Sequence, residues 1–195
     1  MIRFCDVFFS LLGLIVLSPI FVIIALCIVL DSRGGVFYRQ VRVGRGGKDF
    51  RLFKFRSMAS GADKKGLITV GAKDSRVTRV GYFLRKYKLD ELPQLLNVVR
   101  GEMSLVGPRP EVRKYVDMYT VEQRKVLAVA PGITDYASIE YADENTILGQ
   151  ARDPDWAYVE QIMPDKIRYN MKYIDNRCLK EYFKIIFLTL MKIVK

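Results

Sequence analysis

Val7-Phe8-Phe9-Ser10-Leu11-Leu12-Gly13-Leu14-Ile15-Val16-Leu17-Ser18-Pro19-Ile20-Phe21-Val22-Ile23-Ile24-Ala25-Leu26-Cys27-Ile28-Val29-Leu30 carries no charge over 24 residues, and its reading decides what kind of fold follows. As a straight helix it would extend roughly 36 Å, enough to cross a hydrocarbon core of about 30 Å. A cleaved signal peptide fits poorly, because only Arg3 precedes the run, the run is long and no Ala-x-Ala site follows. A lipoprotein-type site fails at Leu26, which stands before Cys27 where a small residue is needed. Ser18-Pro19 falls in the middle, and proline within a helix removes a backbone bond and bends the rod. Two folds follow: a kinked span, which membrane helices tolerate, or two half-helices that enter and leave one leaflet as a re-entrant hairpin. Basic residues flank both ends, Arg3 before and Arg33, Arg39 and Arg42 after. Charge bias therefore does not force the ends to opposite sides, and both folds stay open. Residues 1–33 form the membrane segment and residues 34–195 a second unit.

Working outward, 195 residues of which half are hydrophobic supply one modest core plus appendages. The net charge of +11 calls for an anionic partner: nucleic acid, nucleotide phosphates or an anionic membrane surface. Cys5, Cys27 and Cys178 lie far apart with no metal-ligand spacing and read as small buried hydrophobes in a reducing compartment. The chain has no His, which excludes Ser-His and Cys-His nucleophile systems, His-ligated zinc and histidine acid/base chemistry.

Val36 to Val43 alternates as a short strand, Gly44-Arg45-Gly46-Gly47-Lys48 turns, and Asp49 to Met58 alternates again. Lys54 and Arg56 fall in phase on the second strand, either as a solvated face or as part of a binding site. Gly81 to Lys88 adds cations, Arg85 among them, and Ser60 to Val77 reads as a polar loop. Then comes Lys88-Leu89-Asp90-Glu91-Leu92-Pro93-Gln94, an acidic pair in a basic neighbourhood. Pro93 reads as the first turn of a helix reaching Val99. Asp90 and Glu91 could simply cap that helix and complement its dipole. Alternatively, a helix N-terminus ringed by Arg and Lys binds phosphate, and a carboxylate placed there attacks the phosphoryl group or holds a metal. Arg109, fixed between Pro108 and Pro110, reads as a guanidinium held for an anion or as an incidental turn residue. A charged, apolar-periodic helix is expected from Glu111 to Val129. The tail from Lys166 to Lys195 reads as two helices, the last interfacial or docked on the core. The fold class is α/β of the α+β kind, mostly helical with a short β-hairpin, a proline-broken N-terminal helix and interfacial amphipathic helices.

Taken in order, Arg3 and Asp6 before the apolar run, Ser18-Pro19, Phe37-Tyr38-Arg39-Gln40-Val41-Arg42-Val43-Gly44, Lys54-Phe55-Arg56-Ser57-Met58, Leu89-Asp90-Glu91-Leu92-Pro93-Gln94 and Gly107-Pro108-Arg109-Pro110 resemble the small monotopic phosphoglycosyl transferases. These bacterial sugar transferases start glycan assembly on polyprenyl phosphate. The resemblance runs from the first residues to about Thr134. It implies a monotopic enzyme on the cytoplasmic face of the bacterial inner membrane that moves a sugar 1-phosphate from a UDP-sugar to undecaprenyl phosphate and releases UMP. It makes Asp90 the nucleophile of a covalent phosphosugar intermediate and Glu91, with Asp90, the ligand of Mg²⁺ or another divalent ion such as Mn²⁺. Lys54, Arg56, Arg85, Gln94 and Arg109 become substrate-binding residues. It also favours the re-entrant hairpin, with Arg3 and Asp6 near the headgroups. A carboxylate is a competent phosphoryl acceptor, and the charge that develops needs fixed cations and a metal more than a proton shuttle. That suits a protein without histidine.

Beyond Thr134 the chain departs from the commoner pattern, with Asp135 where many relatives have Gly and Tyr182 where relatives often have Asp. The rival reading is a non-catalytic, membrane-anchored basic module that binds nucleic acid or anionic lipid. Nucleic-acid readers add stacking aromatics or a reading helix, and neither stands out, so no nucleic-acid partner is expected. The membrane lipid remains a partner in either reading, and a homo-oligomer is left open.

Overall fold

The apolar run folds as two helices. In a computed structural model that describes residues 1–59, 61–62 and 74–194, α1 (Ile2–Val16) and α2 (Ser18–Asp31) meet at Leu17 with a bend of 61°. Pro19 lies in the first turn of α2, where its missing N–H breaks no bond. The Ser18 hydroxyl donates back to Ile15 O at 2.8 Å, which closes the end of α1. Among the described residues no single helix is long and apolar enough to cross a membrane, but the bent pair meets that test together.

Arg3 and Asp6 do not stand free at the end of this segment. The Arg3 guanidinium donates to Val98 O at 2.6 Å and Val99 O at 3.0 Å, at the C-terminal end of α4 (Gln94–Arg100). There a cation meets C-terminal carbonyls and the negative end of the helix dipole. Asp6 is 2% exposed. Its Oδ1 accepts from the Ser104 hydroxyl, the Leu105 N–H and the Tyr182 hydroxyl, each at 2.9 Å. These bonds bolt α1 to the rest of the chain. Partners some 98 residues apart leave no mark in local sequence.

The hairpin forms as its alternation predicts: β1 (Phe37–Val43) pairs antiparallel with β2 (Asp49–Phe55), with Tyr38 opposite Lys54 and Gln40 opposite Leu52. A second, parallel pair joins β3 (Ser104–Val106) to β4 (Gly132–Thr134). The backbones of Gly107 and Gly132 meet there, and a Cβ on Gly132 would lie 2.1 Å from Gly107 N. Only glycine permits that approach.

The helix expected from Glu111 to Val129 is broken. The chain forms α5 (Arg113–Val116) and then a 3₁₀ segment, Gln123–Ala128. Between them the Thr120 N–H donates to Gln123 Oε1 at 2.9 Å and the Gln123 N–H to Thr120 Oγ1 at 3.2 Å. This reciprocal capping ends one element and starts the next. The tail forms two helices as predicted, α9 (Met163–Asp175) and α10 (Leu179–Val194). Tyr182 and Ile185 of α10 are fully buried, whereas Phe183, Phe187, Leu190 and Met191 are exposed. One face of this helix is therefore docked, and the Tyr182–Asp6 bond holds it.

The reading of the cysteines as buried hydrophobes fails, since Cys27 and Cys178 are exposed and Cys5 is half-buried. The polar loop expected at Ser60 to Val77 lies mostly outside the described residues. Its described end holds an Asp74–Arg76 ion pair at 2.6 Å.

Candidate active site

Four segments converge on the acidic pair. β2 supplies Lys54 from the face it shares with Tyr38. α3 (Arg79–Lys86) supplies Arg85 from its last turn. This helix lies tightly on the end of the hairpin, since a Cβ on Gly81 would fall 1.9 Å from Ser57 O. Lys88 then takes a left-handed conformation, φ 57°, rare for a residue with a side chain. It turns the chain sharply into a 3₁₀ turn, Leu89–Glu91, that carries both acids. The turn Gly107-Pro108-Arg109-Pro110 supplies Arg109.

The sequence places Asp90 and Glu91 at the start of the Pro93 helix, as caps or beside free N–H groups. The structure separates them from α4 by Leu92 and Pro93, and no side chain caps α4. The Leu95 and Leu96 N–H groups bond to Leu92 O and Pro93 O. The cations, not helix N–H donors, make this an anion site.

The two acids are held differently. Glu91 accepts from Lys54 Nζ at 2.9 Å and from both terminal nitrogens of Arg109, one of them at 3.2 Å. Burial alone would raise its pKa, but Arg109 and Lys54 together hold it well below the usual carboxylate range. Asp90 is 5% exposed, and its carboxylate accepts no hydrogen bond among the described residues. Burial pushes its pKa up, against the pull of Lys54 and with the push of Glu91. Two adjacent acids are driven apart by environment, the pattern of a site with two separate roles.

Asp90 opens into a cavity of about 410 Å³ whose wall includes Lys54, Arg56, Arg85 and Arg109. Glu91 lies behind that wall. Gln94, at 2% exposure, is buried and is not part of it. Arg56 reaches the wall, but its guanidinium donates to the carbonyls of Ser32 at 2.7 Å, Ile28 at 3.3 Å and Arg33. It thus closes the end of α2 and couples the apolar helices to the cavity.

Sequence reasoning missed the residues that aim Arg109. Its N–H donates to Asp135 Oδ2 at 3.0 Å, and the other oxygen of Asp135 caps α6 (Tyr136–Glu140) through Ser138 N. Arg42 donates to Pro110 O at 3.1 Å. The signal for Asp135 was its departure from the common Gly, legible as a difference but not as a contact.

Among the described residues no three His, Cys, Asp or Glu side chains cluster as a metal cage. Both Glu91 oxygens are taken up by Lys54 and Arg109, so Asp90 alone offers a carboxylate at the cavity, and Mg²⁺ there would complete its shell with water and substrate phosphates.

A buried carboxylate that accepts no hydrogen bond among the described residues thus faces a cation-lined cavity. Comparison with known proteins names the family: the bacterial sugar transferase family model matches residues 1–195, and the chain belongs to that family. The chain is 37% identical over 195 residues to UDP-N-acetylgalactosamine-undecaprenyl-phosphate N-acetylgalactosaminephosphotransferase of Aeromonas hydrophila, covering 98% of this chain and 43% of that protein. It is 35% identical over 195 residues to UDP-glucose:undecaprenyl-phosphate glucose-1-phosphate transferase of Escherichia coli, covering 96% and 39%. The Caulobacter vibrioides protein of that same name is 41% identical over 140 residues, covering 70% and 52%. The chain therefore spans about two fifths of the length of the Aeromonas and E. coli proteins.

Proposed function

We propose that this chain transfers a sugar 1-phosphate from a UDP-sugar to undecaprenyl phosphate through a covalent intermediate on Asp90, the first membrane step of bacterial glycan assembly. The observation that carries this reading is the Asp90 carboxylate, buried without a hydrogen-bond donor among the described residues at a cavity lined by Lys54, Arg85 and Arg109. Relatives named for undecaprenyl-phosphate sugar transfer support it.

In the first step an Asp90 oxygen forms a bond to the β-phosphorus of the UDP-sugar, and the bond from that phosphorus to the bridging oxygen breaks, releasing UMP. In the second step a phosphate oxygen of undecaprenyl phosphate attacks the same phosphorus and frees the Asp90 carboxylate. Splitting the transfer lets one site serve a soluble donor and a lipid acceptor in turn. Lys54, Arg85 and Arg109 hold phosphate oxygens, and Glu91 fixes Lys54 and Arg109 in place. Mg²⁺ held at Asp90 would neutralise charge on the phosphoryl oxygens.

The bent α1–α2 pair, with its exposed Phe8, Leu12, Ile15, Ile23, Leu26 and Leu30, acts as a re-entrant hairpin that seats the site on the cytoplasmic face of the inner membrane. Arg3 and Asp6 tie the hairpin to the catalytic unit, and the exposed face of α10 lies along the interface. The test is UMP release from a panel of UDP-sugars by detergent-solubilised protein with Mg²⁺. Sustained release only when polyprenyl phosphate is present is the expected result; release independent of the lipid, or none with any UDP-sugar, overturns the reading.

A further inference from the structure

The row of side chains that β1 presents to the cavity has no role in the chemistry just described. Tyr38, Gln40 and Arg42 alternate along β1 and line the same cavity as Lys54 and Asp90. We propose that Gln40, oriented by Arg42, is a substrate-binding residue that recognises a carbonyl oxygen of the donor substrate. This rests on the UDP-sugar reading above and names a contact within that site.

The bonding pattern fixes which end of the amide is offered. Arg42 Nε and Nη2 meet one Gln40 atom at 3.1 Å and 2.8 Å. Guanidinium nitrogens only donate, so that atom must be the carbonyl oxygen. The Gln40 amide nitrogen donates to no group among the described residues, and its two N–H groups remain for a ligand. Arg42 is itself pinned, since its remaining terminal nitrogen donates to Pro110 O at 3.1 Å. Turning the amide over would set its N–H groups against two fixed donors, so the cavity is shown donors only. A site of this kind accepts a carbonyl and rejects an amino group, because the mismatched pair leaves buried donors unpaired. The phosphates are matched elsewhere by Lys54, Arg85 and Arg109. The carbonyls such a site selects are the uracil O4, which cytosine replaces with an amino group, and an N-acyl group on the sugar, and the test separates them.

The test measures UMP and CMP binding by calorimetry, and KM for UDP-glucose and UDP-N-acetylglucosamine, in wild type, Gln40→Met and Gln40→Glu. Gln40→Met keeps the volume; Gln40→Glu keeps an oxygen for Arg42 and removes the N–H donors. If the uracil O4 carbonyl is the ligand, wild type prefers UMP to CMP, which carries an amino group there, both variants lose that preference, and KM for both UDP-sugars rises about three- to tenfold with kcat little changed. If an N-acyl group is the ligand, UMP binding is unchanged and only the preference for the acetylated sugar is lost. Unchanged KM, or a uniform loss with both preferences intact in variants that melt like wild type, overturns the inference while leaving the donor reading standing. A wild type that binds neither nucleotide and turns over neither sugar overturns both.

Discussion

Asp6 and Asp90 are both carboxylates buried in this protein, 2% and 5% exposed, yet they serve opposite ends. Three neutral donors from β3 and α10 converge on Asp6. Among the described residues no donor reaches Asp90, which stands under the pull of charges at a distance. Burial alone does not mark a functional acid. A buried carboxylate wrapped in hydrogen bonds is a structural joint. One left bare beside a cavity and ringed by cations is held at a cost to the fold, and it is available to a ligand.

The sharpest way to break the contrast is Asp90→Asn. An amide cannot form the phosphosugar bond, so UMP release should fall at least about a thousandfold; retained activity removes Asp90 as nucleophile. The same substitution tests the claimed cost. The pKa of Asp90 is raised on folding, so the folded chain holds this proton to higher pH than the unfolded chain. Stability from this group is fully present below the ordinary value of 3.8 and is lost as pH rises through the folded value. Asn stays neutral throughout. Asp90→Asn should therefore melt higher than wild type at pH 7, and the two melting curves should converge as pH falls through the raised pKa. A variant less stable than wild type at pH 7 would mean that Asp90 has donors like those of Asp6.

Asp6→Ala should do the reverse. It leaves the Ser104 and Tyr182 hydroxyls and the Leu105 N–H without their acceptor, and unfolding titrations in detergent should show a loss of about 3 kcal/mol. UMP release at low temperature, where the fold persists, should change far less than in Asp90→Asn. A stability loss near zero would place Asp6 at the membrane surface, as the family resemblance implies.

What was legible follows the range of the interactions. The β1–β2 hairpin, the break at Ser18-Pro19 and the two tail helices are local patterns, and each formed where alternation, proline or apolar periodicity placed it. Lys54, Arg85, Asp90, Glu91 and Arg109 were readable as one site because ordered motifs tied them together. The roles of Arg3, Asp6 and Arg56 were not, because each closes a helix end or a strand that lies far along the chain. The break at Thr120 and Gln123 was masked by apolar periodicity that runs through it. The Gly107–Gly132 contact, which sets the Arg109 turn, shows in sequence only as two glycines.

Arg109→Ala probes the link between the two acids. It strips Glu91 of its two-nitrogen clamp and the cavity of a fixed cation, and kcat should fall about a hundredfold. Lysine at 109 should restore little, because a point charge cannot reproduce the planar fork. Full rescue by Arg109→Lys would show that charge, not geometry, is what the site uses.

The smallest effect isolates one strand of the Asp6 joint. Tyr182 is fully buried, and Tyr182→Phe keeps its ring and removes only the hydroxyl that donates to Asp6 at 2.9 Å. Asp6 keeps its Ser104 and Leu105 donors, so no charge is stranded and the loss should be about 1 kcal/mol, read by the same unfolding titration, with UMP release unchanged. A loss as large as that of Asp6→Ala would mean that the joint depends on α10 rather than on β3. The tail would then hold the apolar hairpin in place, and the resting point of Asp6 would be set by α10.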